Sequence, residues 1–148
     1  MTQSGPAAAI VPGPEHGPGT VATAADTATL ADLAAWERQL GERLLAGLPE
    51  GARLYGLPTM AGRVPTFLIN FPGVSSAELS VSLADRGFGV WSGDSYYAPG
   101  LHERIAWGEA LRVGLAHYNT LDEVDRFNQA LAALVAEHAA DALHPSGR

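Results

Sequence analysis

The sequence contains no cysteine and no lysine. Without cysteine there are no disulfides, no thiolate nucleophile and no Cys-ligated zinc. All nine basic residues are arginine. Schiff-base chemistry on this chain is thereby excluded, because it needs a side-chain primary amine. Sixteen acidic residues against those nine leave a formal charge of −7. A phosphate-backbone binder carries a basic footprint, and the scattered arginines make none, so no nucleic-acid partner is expected. Long apolar runs are missing too. The first, Ala7–Val11, is five residues long with no basic residue before it, too short for a signal peptide. No run approaches the roughly 18 apolar residues of a membrane span. The expectation is a soluble, cytoplasmic protein without a membrane partner. The five histidines show neither HxH nor HExxH spacing, so no metal is expected. Gly87-Phe88-Gly89 leads into a strand pattern rather than a helix, so it is not a phosphate loop.

What is present suffices for one domain: 148 residues, 47% of them hydrophobic. Residues 1–27 are rich in Pro, Gly and Ala. Such a segment buries too little apolar surface to offset its ordering entropy, and is expected to be disordered. Residues 143–148 form a similar short end, which leaves a domain over 28–142. No internal repeat is evident. Three helices are predicted. The first spans Thr29 to Gly47, with Leu30, Leu33, Leu40, Leu44 and Leu48 on one stripe and a Gly47/Pro49 stop. The second spans Ser76 to Arg86, opened by Ser75 and Glu78 at capping-box spacing and ended by Gly87. The third spans Leu121 to about Ala142, opened by a Thr120/Glu123 box, with Leu121, Val124, Phe127, Leu131, Leu134 and His138 along one face.

Strand patterns separate the helices. In Val64–Phe71, Phe67, Ile69 and Phe71 point one way while Thr66, Leu68 and Asn70 point the other. Phe88–Trp91 is short and apolar. In Leu111–Ala116, Leu111, Val113 and Leu115 face one side, and Arg112, Gly114 and Ala116 face the other. Arg53–Tyr55 adds an edge piece. The expected fold is α+β: a small antiparallel or mixed sheet covered on one face by helices. The uncovered face then carries Arg112 beside two small residues. A guanidinium there suits a carboxylate, to which it donates two parallel hydrogen bonds. A surface arginine paired with a neighbouring acid is the plainer alternative.

The segment from Ser92 to Gly108 is long for a connector. It concentrates Asp94, Ser95, Tyr96, Tyr97, His102, Glu103 and Trp107. Asp94, His102 and Tyr96 are the candidate proton-transfer groups, should they meet across a pocket. Tyr97, Trp107, Asn70 and Trp91 are candidate ligand contacts beside Arg112. The alternative is that the aromatic residues only pack this segment onto the sheet. His117 follows the last strand and by alternation is expected on the core side.

These segments carry a resemblance. The stretch R-V-P-T-F-L-I-N-F-P-G-V-S-S-A-E-L, then R-G-F-G-V-W-S-G-D-S-Y-Y-A, then A-L-R-V-G-L-A-H-Y-N-T-L-D-E-V-D-R-F, resembles the C-terminal small domain of class V aminotransferases. Within them it is most similar to cysteine desulfurase-like proteins, over roughly Leu33 to His138. The resemblance implies the small domain of a fold-type I pyridoxal phosphate enzyme. It implies that Arg112 takes the place of the arginine that binds the substrate's carboxylate. Tyr118, Asn119 and Thr120 match the family's Y-N-T, where capping rather than chemistry is expected.

The departures are equally informative. The family's large domain supplies the cofactor lysine, the aspartate at the pyridine nitrogen and most of the phosphate site. None of these lies within this sequence. Where desulfurases carry a sulfur-accepting cysteine, this sequence has Tyr96, or Tyr97 in the adjacent register, which closes persulfide chemistry to it. No covalent cofactor is expected, and pyridoxal phosphate only if a separate lysine-bearing partner supplies it. Three functions stay open. One is the accessory half of a split pyridoxal phosphate enzyme that recognises an amino-acid-like carboxylate. Another is a repurposed, cofactor-independent enzyme using residues 92–108 and Arg112. The third is an inactive remnant. A homodimer through the uncovered sheet face is a further expectation.

Overall fold

The computed structural model describes residues 30–93 and 108–143, with side chains to residue 140. The elements within them are α1 (Leu30–Ala46), β1 (Arg53–Tyr55), β2 (Thr66–Asn70), α2 (Ser76–Asp85), β3 (Trp91–Gly93), β4 (Ala110–Gly114) and α3 (Leu121–Leu143). The tail over 1–27 and residues 144–148 lie outside the described residues.

Local chemistry sets the helix ends. At α3, Glu123 N–H donates to Thr120 Oγ1 at 3.2 Å, and Thr120 N–H donates to the Glu123 carboxylate at 2.8 Å. This is the reciprocal box that the sequence predicts. Asn119 extends it. Its Oδ1 accepts from Ala116 N–H at 2.9 Å, and its carbonyl accepts from the Trp36 indole N–H of α1 at 3.2 Å. Asn119 and Thr120 of the Y-N-T run are therefore capping residues, as expected, while Tyr118 is exposed. The end of α2 is a Schellman turn: Gly87 N–H donates to the Ala84 carbonyl and Phe88 N–H to the Leu83 carbonyl. Gly87 takes a φ of 85°, which a side chain would resist. Phe88 and Leu83 are both buried, the apolar contact that accompanies such a turn.

The sheet order is β1-β2-β4-β3 and every pairing is antiparallel. Phe67 pairs with Val113 and Ile69 with Leu111. All four have no exposure. Ladder partners share a face, so this face meets the helices. Leu40 and Leu44 of α1, Leu79 and Leu83 of α2, and Val124, Phe127 and Leu131 of α3 complete a core without solvent access. Each such side chain contributes about 1.5–3 kcal/mol relative to exposure. The α+β architecture with helices on one face is as the sequence predicts.

Several boundaries differ. The third strand is not Phe88–Trp91 but Trp91–Gly93. Phe88 turns into the core instead and meets Phe127 edge-on at 5.6 Å. The ladder starts only where Trp91 finds Arg112, so Ser92 and Gly93 belong to a strand, not to the connector. The second strand begins at Thr66, after Pro65, which has no N–H for a ladder, and Val64 is exposed. Leu30, expected on the apolar stripe of α1, is 86% exposed, because α1 packs on α3 only from its later turns. His117 is exposed, contrary to the alternation. The strand stops at Gly114, and the Asn119–Ala116 bond turns the chain before alternation can reach His117.

Candidate functional site

The sheet face turned away from the helices follows from the same registers. Tyr55 pairs with Leu68, Leu68 with Arg112 and Arg112 with Trp91. These four side chains form one row across all four strands, with Arg112 on the interior strand β4. Arg112 is exposed, and Tyr55, Leu68 and Trp91 are half-buried. Gly114, two residues along β4, carries no side chain.

Four other arginines are engaged by the fold, while Arg38 and Arg53 are exposed like Arg112. Arg43 makes a two-pronged pair with Asp125, at 2.6 and 2.7 Å. Arg86 reaches Glu137 and Arg126 reaches Asp122. Arg63 donates to the carbonyls of Leu57 and Thr66 and lies over the Phe67 ring, 4.4 Å from its centre. Burial pulls its pKa below the usual guanidinium value, but it stays charged. Arg112 has no hydrogen bond or ion pair to any of the described residues. The plainer reading, an arginine neutralised by a neighbouring acid, therefore finds no acid among them.

Asn70 lies on the same face. Its Nδ2 donates to the Tyr55 hydroxyl at 3.0 Å and to the Glu109 carbonyl at 3.3 Å. It thus ties β1 and β2 to the start of β4, while its buried Oδ1 has no hydrogen-bond partner. Asn70 braces the strands rather than presenting a free amide. Glu109 was not a sequence candidate, yet it holds this corner. Its carboxylate accepts from Ser76 N–H at 2.9 Å and from the Ser75 hydroxyl at 3.2 Å. The predicted Ser75/Glu78 box is only half formed: Ser75 Oγ accepts from Glu78 N–H, and the acid serving the helix start is Glu109, 33 residues away from Ser76 in sequence. No local spacing signals such a cap. Tyr55 was also missed, although pairing its edge strand with the alternating Thr66–Asn70 segment puts it on this face.

Trp91 stands directly across from Arg112 and folds along its own strand. A Cβ built on Gly93 would lie 2.1–2.8 Å from the six-membered ring of the indole. Arg112 and Trp91 are thus ladder neighbours, and Asn70 lies one row along on the same face. Asp94, Tyr96, Tyr97, His102 and Trp107 lie outside the described residues. Two surface grooves lie elsewhere. One, of about 430 Å³, is lined by residues of α1 and α3 including Arg43 and Asp125. The other, of about 420 Å³, lies between α1 and the 60–65 turn. Neither is lined by Arg112. No helix among the described residues is long and apolar enough to cross a membrane.

Comparison with known proteins places this arrangement. The family profile for class V aminotransferases matches residues 17–127. A probable cysteine desulfurase of Pseudomonas aeruginosa is 39% identical over 103 residues, covering 68% of this chain and 24% of that protein. Probable cysteine desulfurase 2 of Mycobacterium leprae is 35% identical over 94 residues, 62% of this chain and 22% of its own length. Among solved structures, the apo cysteine desulfurase of Thermococcus onnurineus superposes with a TM-score of 0.65 at 24% identity, covering 71% of this chain and 26% of that one. A cysteine desulfurase of Escherichia coli superposes with a TM-score of 0.62, also at 24% identity, over 76% and 27%. These two likenesses establish the fold. The chain spans about a quarter of the length of the relatives it matches. Fold and profile agree: this chain belongs to the class V aminotransferase family, as a fragment corresponding to its small domain.

Proposed function

We propose that this domain recognises the carboxylate of an amino-acid-like ligand through Arg112, at a cleft whose opposite wall comes from residues outside this sequence. One observation carries the reading: on an interior strand, amid apolar neighbours, Arg112 alone in its row is charged and lacks an ion pair among the described residues. A guanidinium standing between Leu68 and Trp91 can offer a carboxylate two parallel hydrogen bonds.

The family's cofactor does not fit this chain as a covalent group. With no lysine in the sequence, no side-chain amine can hold the aldehyde of pyridoxal phosphate. No step through that cofactor is derived. The chain's part is binding and orientation: Arg112 fixes the carboxylate, while Asn70 and Glu109 hold the strands that set its direction. Lysine and cofactor then come from residues outside this sequence.

The test is a titration of the isotope-labelled protein at constant ionic strength, read at the arginine side-chain Nε–H signals. L-alanine should shift Arg112 far more than the exposed Arg38 or Arg53, and methylammonium should not. Uniform shifts at all exposed arginines would refute the assignment. Pyridoxal phosphate added to the protein alone should give no lysine-imine absorption. That absorption should appear only when a lysine-bearing large domain is added.

A further inference from the structure

We infer that Trp91, kept in place by the missing side chain of Gly93, makes this site selective for monocarboxylates with an apolar body and against dicarboxylates. The inference rests on the carboxylate-binding role of Arg112 and adds the class of ligand. Arg112 has one ladder partner on each side, Leu68 and Trp91. Directly opposed side chains stand about 4.5–5.5 Å apart at Cβ. A ligand whose carboxylate meets the guanidinium therefore lays the rest of itself against leucine and indole. No second cation stands in this row; Arg53 is one row away, on the edge strand β1. A second carboxylate on the ligand would lose water against this apolar surface without gaining a partner among the described residues of the row.

Gly93 is what makes the wall. The indole lies over its Cα, where even a methyl would come within 2.1 Å of the ring. Its φ is not positive, so alanine meets no backbone strain there. Gly93→Ala should therefore leave the strand intact and displace only the indole. No cation–π stack joins Trp91 to Arg112 among the described ring contacts. The indole lies along β3, and Arg112 is exposed among the described residues.

The experiment compares hydrocinnamate with succinate. Both are propionates, one ending in a phenyl and the other in a second carboxylate. Binding is followed at the Arg112 Nε–H and at the Trp91 indole N–H, the latter assigned with Trp91→Phe. Hydrocinnamate should bind roughly fivefold or more tighter than succinate, the scale of an aromatic pair. Trp91→Ala and Gly93→Ala should each bring the two ligands to within about twofold, with the backbone amide spectrum unchanged elsewhere. Arg112→Ala should abolish both. If Arg112→Ala leaves hydrocinnamate binding intact, the carboxylate reading itself is wrong. If Arg112→Ala removes binding but Trp91→Ala and Gly93→Ala keep the full preference, the selectivity inference alone falls. It also falls if succinate binds as well as hydrocinnamate, or if neither binds at tens of millimolar.

Discussion

The two faces of the sheet are made by the same strands and the same ladders, yet they do different work. On the covered face, Phe67 opposes Val113 and Ile69 opposes Leu111, all without solvent access. On the open face, Leu68 opposes Arg112 and Arg112 opposes Trp91, with the guanidinium in solvent. One residue's step along a strand exchanges dry packing for a charge with no partner among the described residues. Folding energy is therefore concentrated on one face, while the other is free to carry ligand chemistry. The sharpest test is truncation of neighbours that differ only in face. Phe67→Ala should cost about 3–5 kcal/mol, because the cavity cannot fully collapse between sheet and helices. Leu68→Ala should cost less than about 1 kcal/mol. Urea unfolding with unchanged m values would measure both, and equal costs would erase the distinction.

A substitution on the open face reverses the pattern. Arg112→Ala should change stability by no more than about 0.5 kcal/mol, since the side chain holds nothing among the described residues. It should nonetheless weaken carboxylate binding by about 1.5–3 kcal/mol, the loss of a charge-assisted bond. Arg112→Lys should also weaken it, because a single ammonium cannot reproduce the planar fork. Calorimetric titration of the two variants beside a melting curve separates the effects. A large loss of stability in Arg112→Ala would mean that the side chain belongs to the architecture after all.

The corner joining the two faces gives a smaller effect. Glu109→Ala should cost about 0.5–2 kcal/mol, as removing a helix cap does. The loss should appear first as faster hydrogen exchange at the opening turn of α2. This corner also marks where sequence reasoning runs out. The α3 box, the alternation of Thr66–Asn70 and the outward Arg112 were legible, because each depends on residues within one turn or one strand. The shift of β3 was not, because its start is set by where β4 offers a partner. Neither was the Glu109 cap, whose donors lie more than thirty residues away, nor the seat of the indole on Gly93, which needs the side chain's direction. His117 misled for a related reason: alternation holds only as far as the ladder does.

The weakest expected effect lies on the helical side, far from Arg112. Arg43 of α1 and Asp125 of α3 meet in a two-pronged, solvent-exposed pair. The guanidinium's hydrogen bond holds the Asp125 carboxyl below the usual aspartate range. A carboxyl whose pKa is depressed on folding adds stability above its unfolded pKa. That stability is lost as pH falls through the folded value. Acidification from neutrality to below the ordinary aspartate range should therefore destabilise the native protein slightly more than Asp125→Asn. The difference between the two should be small at neutral pH and shrink further in high salt, because the pair is exposed and screened. Identical acid profiles for the two proteins would show that this pair adds nothing to the α1–α3 seam. The covered face of the sheet, with Leu40, Leu44 and Phe127 packed upon it, would then hold the helices by apolar contact alone.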